Sequence, residues 1–271
     1  MSQRLVGVSL KMYFGHEQTA RWCRAVADIA ATHPAVRDNH VTLAVLPSFP
    51  YIAEAADIFA GTPVAVGGQD LFWADEGAFT GEVSGTQLRE LGCGYVEIGH
   101  AERRRIFGET DTVIAAKTAA AFRNQLTPIL CVGEALRGDV EMAAEYCCAE
   151  LDSALSEIRG AAAGPLVVAY EPQWAIGAEE PAPPQHVAKT CAALRAHLDS
   201  RPDLAGSRVI YGGSAGPGLL TRLKDSVDGL FLGRFAHDAA ALDHILTEAL
   251  GGTAAARTAE PLPTPGRPEW Q

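Results

Sequence analysis

A short apolar run followed by a longer segment of helical periodicity recurs eight times along this chain, and this repeat constrains the fold more than any other feature. Runs such as VTLAVL, LVVAY and GLFLG contain no polar alternation, which indicates strands that are covered on both faces. The predicted strands are Leu5–Leu10, Val41–Leu46, Val64–Gly68, Tyr95–Ile98, Thr127–Cys131, Leu166–Tyr170, Arg208–Tyr211 and Gly229–Leu232.

The intervening segments have the spacing of amphipathic helices, as where Trp22, Val26, Ile29 and Ala30 share one face. The predicted helices are His16–Thr32, Ala53–Ala60, Ser84–Leu91, Thr110–Asn124, Val140–Arg159, Gln185–Ser200, Gly218–Lys224 and Ala239–Leu250. Eight such units in about 250 residues predict an α/β fold, a single (β/α)8 TIM barrel. An open doubly wound sheet is the alternative, but no GxGxxG follows the first strand.

We therefore expect residues 1–250 to form the barrel, and residues 251–271, rich in Gly, Ala and Pro, to form a mobile extension. The formal net charge of −11 argues against a nucleic-acid partner. No apolar run is long enough to cross a membrane, and the first residues lack the features of a signal peptide. Six cysteines without a CxxC pair indicate reduced thiols, a cytoplasmic location and no zinc site.

Polar residues and glycine turns follow several predicted strands, at the end where parallel barrels hold their active sites. They are Lys11, His100, Glu171, the turn Gly212, Gly213 and Ser214, and the pair Gly233 and Arg234. Each has an ordinary alternative: a solvated lysine, a capping histidine, a glutamate capping the next helix, and glycines that only make turns. Because all of them meet at one rim, we interpret them as a functional site.

These residue types suit one kind of chemistry. A carboxylate that has lost its solvation is a stronger base. A neutral imidazole at the start of a helix can donate a hydrogen bond to a carbonyl oxygen. An ammonium stabilises the oxyanion that forms next, and glycine turns expose N–H groups to a phosphate. The set predicts proton abstraction beside a carbonyl in a phosphorylated ketose or aldose, through an enediol or enediolate, without metal or cofactor.

Six motifs in order make residues 5–250 resemble the triosephosphate isomerase family: LKM (10–12), GAFTGE (77–82), IGHAERR (98–104), CVGE (131–134), AYEPQWAIG (169–177) and YGGS (211–214). The resemblance implies that Glu171 is the base, His100 the electrophile and Lys11 the electrostatic stabiliser. It also implies that Glu102 is a supporting carboxylate near the lysine.

The resemblance further implies a hinged lid from Pro172 to about Ala182. Its first part consists of Pro172, Gln173, Trp174, Ala175 and Ile176. The N–H of Gly177 would reach the phosphate in the closed state. Trp174 would anchor the lid by packing; an indole that only fills the core is the alternative. The GAFTGE loop, with Phe79 and Thr80, implies a homodimer; a monomer with an exposed loop is the alternative.

Some residues depart from the usual family pattern. Ser9 stands where Asn is usual, Ala101 where Ser is usual, and Arg234 where a second Gly is usual. Serine is two heavy atoms smaller than asparagine, as much as a hydroxymethyl group occupies, so the pocket could accept a four-carbon substrate. Arg234 could reinforce phosphate binding or point outward.

Ser9 together with WADEGAFTGE (73–82) and LFLGR (230–234) resembles the tetrulose-phosphate isomerase branch that serves erythritol breakdown. That resemblance implies interconversion of L-erythrulose 1-phosphate and D-erythrulose 4-phosphate. Two alternatives stay open: glycolytic isomerisation of glyceraldehyde 3-phosphate and dihydroxyacetone phosphate, and phosphosugar binding without turnover.

Overall fold

A computed structural model describes residues 3–158 and 163–251, and its eight strands form a closed parallel barrel in sequential order. The strands are β1 (Arg4–Ser9), β2 (Val41–Leu46), β3 (Val64–Gly68), β4 (Tyr95–Ile98), β5 (Thr127–Val132), β6 (Val167–Tyr170), β7 (Arg208–Tyr211) and β8 (Gly229–Leu232). Closure comes from pairing of β1 with β8, in a register that runs from Leu5 opposite Gly229 to Val8 opposite Leu232. The predicted (β/α)8 barrel is confirmed.

Helices connect the strands and pack around the outside of the barrel. They are α1 (His16–Thr32), α2 (Pro34–Arg37), α3 (Ile52–Phe59), α4 (Gly85–Glu90), α5 (Ala101–Phe107), α6 (Asp111–Arg123), α7 (Val140–Ala154), α8 (Pro184–Asp199), α9 (Leu219–Leu223) and α10 (Ala239–Ala249). None of the described helices combines the length and apolar character that a membrane crossing needs.

Two apolar clusters occupy the two faces of the sheet. The smaller cluster fills the barrel interior with alternate residues of the strands: Leu5, Ala44, Leu46, Ile129, Cys131, Val167, Ala169, Ile210 and Phe231. The larger one joins the opposite strand faces, including Val6 and Val8, to the helices. Position 7 requires glycine, because a Cβ there would lie 2.7 Å from the Phe231 ring. Both strand faces are therefore buried, which explains the continuous apolar runs.

Helix α1 has the bounds that its periodicity predicts. Its buried face includes Trp22, Cys23, Val26 and Ala30. Trp22 also donates a hydrogen bond from Nε1 to the carbonyl oxygen of Ala236, 2.9 Å away, and this bond links the first helix to the turn after the last strand.

Most other predicted bounds differ from the structure by one residue at an end, but two helices were not predicted. Helix α2 is a single turn, too short for a periodic pattern. Helix α5 has no buried residue, so it shows no apolar stripe. Helix α7 ends at Ala154, and the predicted end at Arg159 lies outside the described residues. The predicted extension beyond Gly251 also lies outside them.

Candidate active site

The carboxyl ends of the strands surround a pocket of about 220 Å³. The barrel places Lys11, His100 and Glu171 together in its wall, as the sequence predicts. Its other lining residues include Ser9, Glu97, Glu102, Arg105, Ile176, Gly177, Gly212, Ser214, Gly233 and Arg234. Three cationic side chains, three glutamates and one histidine therefore line the pocket, so positive charge is concentrated here in a chain whose net charge is −11.

Lys11 lies just past β1 in a left-handed backbone conformation, with φ at +49°. Its carbonyl oxygen accepts hydrogen bonds from Ser48 Oγ at 2.7 Å and from Gln69 Nε2 at 3.1 Å. These bonds from neighbouring loops hold a conformation that is unfavourable for a residue with a Cβ. The backbone of Lys11 is therefore fixed, and its side chain is aimed at the pocket.

The Lys11 ammonium is paired with the first turn of α5. Its Nζ lies 2.6 Å from Glu102 Oε1. Burial lowers the pKa of Lys11, but Glu102 and then Glu171 and Glu97 raise it by more, so the net pKa is raised. Burial raises the pKa of Glu102, and Lys11 outweighs this and lowers it overall. The lysine therefore stays charged at the pocket wall.

His100 is the N-cap residue of α5, and this position fixes its tautomer. Its Nδ1 accepts a hydrogen bond from the backbone N–H of Glu102 at 3.1 Å. A ring nitrogen that accepts carries no proton, so the neutral ring carries its proton on Nε2. Nε2 faces the pocket and lies 3.3 Å from Glu171 Oε2. The imidazole can therefore donate to an oxygen of a bound molecule.

Glu171 follows β6 directly and is only 5% exposed. Its backbone N–H donates to Val132 O at 2.8 Å, which continues the strand pairing to the carboxylate. A Cβ at Gly212 would overlap Glu171 Oε1, so only glycine leaves room for this side chain. Oε2 accepts no hydrogen bond from the described residues. A buried carboxylate oxygen without a donor is suited to removing a proton.

The segment after Glu171 lies folded onto the barrel. Residues 173–175 form one turn of 3₁₀ helix. Ser214 Oγ donates to the carbonyl oxygens of Ala175 at 2.8 Å and Ala178 at 3.0 Å. Further along, the N–H of Ala182 donates to the Tyr211 hydroxyl at 2.9 Å. Contacts from the end of β7 and the turn after it therefore hold the predicted lid down, and Ile176 and Gly177 line the pocket.

Trp174 is half-buried and packs against the larger apolar cluster. Its Nε1 donates to Glu134 Oε1 at 2.8 Å, beneath the lid. Glu134 also accepts from the Tyr170 hydroxyl at 3.2 Å and lies 3.1 Å from His186 Nε2. The indole packs edge-on against His186, with ring centroids 5.7 Å apart. Sequence reasoning assigned no role to Glu134, although it ends one of the quoted motifs.

The predicted phosphate-binding residues divide into two groups. Gly177, Gly212, Ser214, Gly233 and Arg234 line the pocket, but Gly213 is not among its lining residues. A Cβ at Gly213 would lie 2.5 Å from the Tyr211 hydroxyl oxygen, so packing explains that glycine.

Arg234 points toward the lid. Its Nη2 lies 4.0 Å from the position that a Cβ at Gly177 would take. The guanidinium therefore stands between the lid tip and the end of β8.

Several predicted residues do not line the pocket. Ala101 is the first residue of α5 and does not line it. The first part of the predicted lid, Pro172, Gln173, Trp174 and Ala175, likewise does not line the pocket. Phe79 packs against Phe72, with ring centroids 4.5 Å apart, but remains 44% exposed, and Thr80 next to it is exposed. The GAFTGE loop thus projects away from the pocket of its own chain.

Glu97 is a pocket residue that sequence reasoning missed. It lies in the middle of β4 and is 3% exposed. Ser9 Oγ donates to Glu97 Oε2 at 2.8 Å. Burial raises the pKa of Glu97 to about 7, with Glu171 adding to the shift and His100 opposing it. The sequence signal that could have identified Glu97 is a carboxylate inside the otherwise uncharged strand YVEI.

The arrangement supplies a base, a hydrogen-bond donor and a cation around one cavity. It can remove a proton from carbon and stabilise the oxyanion that results. Within residues 3–158 and 163–251, no group of three or more His, Cys, Asp or Glu side chains has the geometry to hold a metal ion.

Comparison with known proteins agrees with this geometry. The sequence model of the family described as triosephosphate isomerase matches residues 4–249. A protein of Pectobacterium atrosepticum named L-erythrulose-1-phosphate isomerase is 58% identical over 90% of this chain and 95% of its own length. A protein of the same name from Rhizobium rhizogenes is 37% identical over 85% of this chain and 88% of its own length. A triosephosphate isomerase of Moorella thermoacetica is 40% identical over 78% of this chain and 87% of its own length.

Proposed function

Because the chain belongs to the triosephosphate isomerase family, we propose that it is an isomerase that interconverts L-erythrulose 1-phosphate and D-erythrulose 4-phosphate. The relatives are isomerases by name, which removes the alternative of a phosphosugar-binding protein without turnover. The observation that carries the substrate choice is the 58% identity to a protein named for erythrulose phosphate, against 40% for one named for triose phosphate.

In the proposed mechanism, Glu171 takes the proton from C3 of erythrulose 1-phosphate and returns it to C2. The free Oε2 atom at the end of β6 is available for this step. His100 donates its Nε2 proton to the developing oxyanion on O2 and then takes the proton from O3. The carbonyl moves from C2 to C3, and renumbering from the other end gives erythrulose 4-phosphate. No atom is gained or lost.

Lys11 stabilises the enediolate through its charge, and Glu102 positions the lysine. The ion pair between them, 2.6 Å long, supports this assignment. Because Glu102 bonds both Lys11 and, through its backbone N–H, the Nδ1 atom of His100, one residue orients both the cation and the hydrogen-bond donor. Loss of either contact would displace a group that must lie against the substrate oxygens.

The phosphate would bind between the lid and the ends of β7 and β8. Backbone N–H groups of Gly177, Ser214 and Gly233 border that end of the pocket, and the Arg234 guanidinium supplies a planar charge. Closure of the lid would exclude water from Glu171 and keep the enediolate from eliminating phosphate.

Parallel assays on two substrates test the substrate choice. We expect a higher kcat/KM for L-erythrulose 1-phosphate than for dihydroxyacetone phosphate, with solvent deuterium entering carbon in both products. Glu171→Gln should lower kcat by at least about 10²–10⁴-fold, the usual contribution of a general base. The matched control is Glu248→Gln, which changes an equally buried carboxylate that bonds the Gly218 N–H away from the pocket. A higher kcat/KM for the triose phosphate would overturn the substrate choice.

The protein also presents features of a homodimer, which we propose as its assembly. Met12 is 92% exposed beside the catalytic lysine, and Phe107 at the end of α5 is 65% exposed. Phe79 in the GAFTGE loop is a third exposed apolar side chain, and a second copy would cover such residues. Light scattering of the wild type should give twice the chain mass, and Phe79→Glu should give monomers. A monomeric wild type at micromolar concentration would contradict the proposal.

A reducing compartment, the cytoplasm, is the proposed location. All six cysteines are free thiols, and five of them are buried. We also propose that residues 1–250 form the barrel and residues 251–271 a separate extension.

A further inference from the structure

Resting on the proposed function, we propose that Glu97 selects the four-carbon substrate. Its carboxylate would accept a hydrogen bond from the terminal hydroxymethyl group that a three-carbon substrate lacks. Glu97 is thus inferred to be a specificity-determining residue on the floor of the pocket, not part of the proton-transfer machinery.

The position of Glu97 follows from the strand register. The inward residues beside it on β5 are apolar, since Ile129 lies opposite it and Cys131 two residues further. It also lines the pocket together with Lys11, His100 and Glu171. A carboxylate placed among apolar side chains costs folding free energy, so a structural role alone would be better served by an apolar residue.

Only one of the two carboxylate oxygens has a partner. Oε2 accepts the hydrogen bond from Ser9 Oγ at 2.8 Å, across the barrel from β1 to β4. Oε1 accepts no hydrogen bond from the described residues. The bond to Ser9 fixes the plane of the carboxylate, and the second oxygen is left as an acceptor on the pocket side.

The chemistry of the substrate identifies the donor that this oxygen would take. The phosphate is repelled by a carboxylate, and its proposed binding groups lie elsewhere in the pocket, at the lid and at the ends of β7 and β8. The two reacting oxygens lie with His100 and Lys11 in the proposed mechanism. The remaining polar group of erythrulose 1-phosphate is the C4 hydroxyl, next to the carbon that loses its proton. A hydroxyl donor there would complete the hydrogen bonding of Glu97.

Burial that raises the pKa of Glu97 to about 7 agrees with this role. His100, Ser9 and Lys11 lower this pKa and Glu171 raises it, and together they do not offset the desolvation. A hydroxyl donor from the substrate would favour the ionised carboxylate and gain a charge-assisted hydrogen bond.

The test is the ratio of kcat/KM for L-erythrulose 1-phosphate to kcat/KM for dihydroxyacetone phosphate, measured in three variants. Glu97→Val should lower this ratio by about 10- to 100-fold, because a hydrogen bond to a charged group is lost. Glu97→Gln keeps an oxygen for the bond from Ser9 Oγ but places an uncharged NH2 donor on the pocket side, where the substrate hydroxyl then accepts instead of donating, and should lower the ratio by about 5-fold. Glu248→Gln makes the same chemical change at a site of similar burial, away from the pocket, and should leave the ratio at the wild-type value.

Circular dichroism and urea unfolding establish that each variant is folded. Should Glu97→Val not fold, the ratio measured for Glu97→Gln tests the inference. Equal losses on both substrates would overturn the inference and assign Glu97 to proton transfer or to positioning of the base. An unmoved ratio in the folded Glu97 variants would also overturn it. A wild type without four-carbon activity would instead overturn the proposed function, and this inference with it.

Discussion

Replacing Glu97 by Gln should change the pH dependence of stability in a way that the structure makes quantitative. The ordinary pKa of a glutamate is 4.5, and burial raises that of Glu97 to about 7 in the folded chain. Each tenfold change in a protonation equilibrium corresponds to about 1.36 kcal/mol. Ionisation of Glu97 in the folded chain therefore lowers the free energy of unfolding by about 3 kcal/mol.

The direction follows from proton binding. Between pH 4.5 and about 7 the folded state holds the Glu97 proton while the unfolded state releases it. The favourable contribution is therefore fully present below pH 4.5, and it is lost as the pH rises through 7. Glutamine does not titrate, keeps an oxygen for the bond from Ser9 Oγ, and so escapes this loss.

Urea unfolding of the wild type and of Glu97→Gln at pH 5, 6, 7 and 8 measures the effect. We expect the variant to gain stability over the wild type as the pH rises, by about 2.5 kcal/mol between pH 5 and pH 8. The titrating groups that do not interact with Glu97 are common to both proteins and cancel in the difference, provided that protein concentration is held fixed. A difference that is flat with pH, or that falls as the pH rises, would refute the reasoning.

Three further predictions concern the support of the site. Gly212→Ala places a Cβ against Glu171 Oε1, and displacement of the base should lower kcat by about 10²-fold while circular dichroism stays that of the wild type. Trp174→Phe removes the donor to Glu134, so the lid should close less firmly and more inorganic phosphate should be released per turnover; unchanged release would contradict this. Lys117→Met removes the buried ammonium that lies 2.6 Å from both Asp70 and Glu109 and leaves them paired with Arg103, so it should cost about 1.5–3 kcal/mol in urea unfolding; a loss under 1 kcal/mol would contradict this.

The secondary structure was largely predictable because its signals are local. Every predicted strand forms, and His16–Thr32 has the predicted bounds, since an apolar stripe needs only the spacing of neighbouring residues. Helix α5 was missed for the same reason. With the sequence AERRRIF and no buried residue, it exists because His100 caps it and the barrel places it, and neither fact leaves a periodic pattern.

The meeting of Lys11, His100 and Glu171 was also predictable. Each follows a strand, and the carboxyl ends of parallel strands in a barrel lie at one rim. What the pattern could not supply was orientation. Ser214 was expected at the phosphate, but its hydroxyl is donated to the lid carbonyls, and Gly213 serves the packing of Tyr211. The two hydrogen bonds of Ser214 join residues that are 39 and 36 positions apart in the chain.

By itself, the sequence determined the repeat of strand and helix, the closed barrel and the three residues at its rim. It did so because hydrophobic periodicity and strand ends are properties of neighbouring residues. Only the tertiary structure decided that Glu97 faces the pocket and meets Ser9, 88 positions away. The physical reason is that the closed barrel sets which alternate residues of each strand point inward, and burial by partners distant in sequence then sets their charge state.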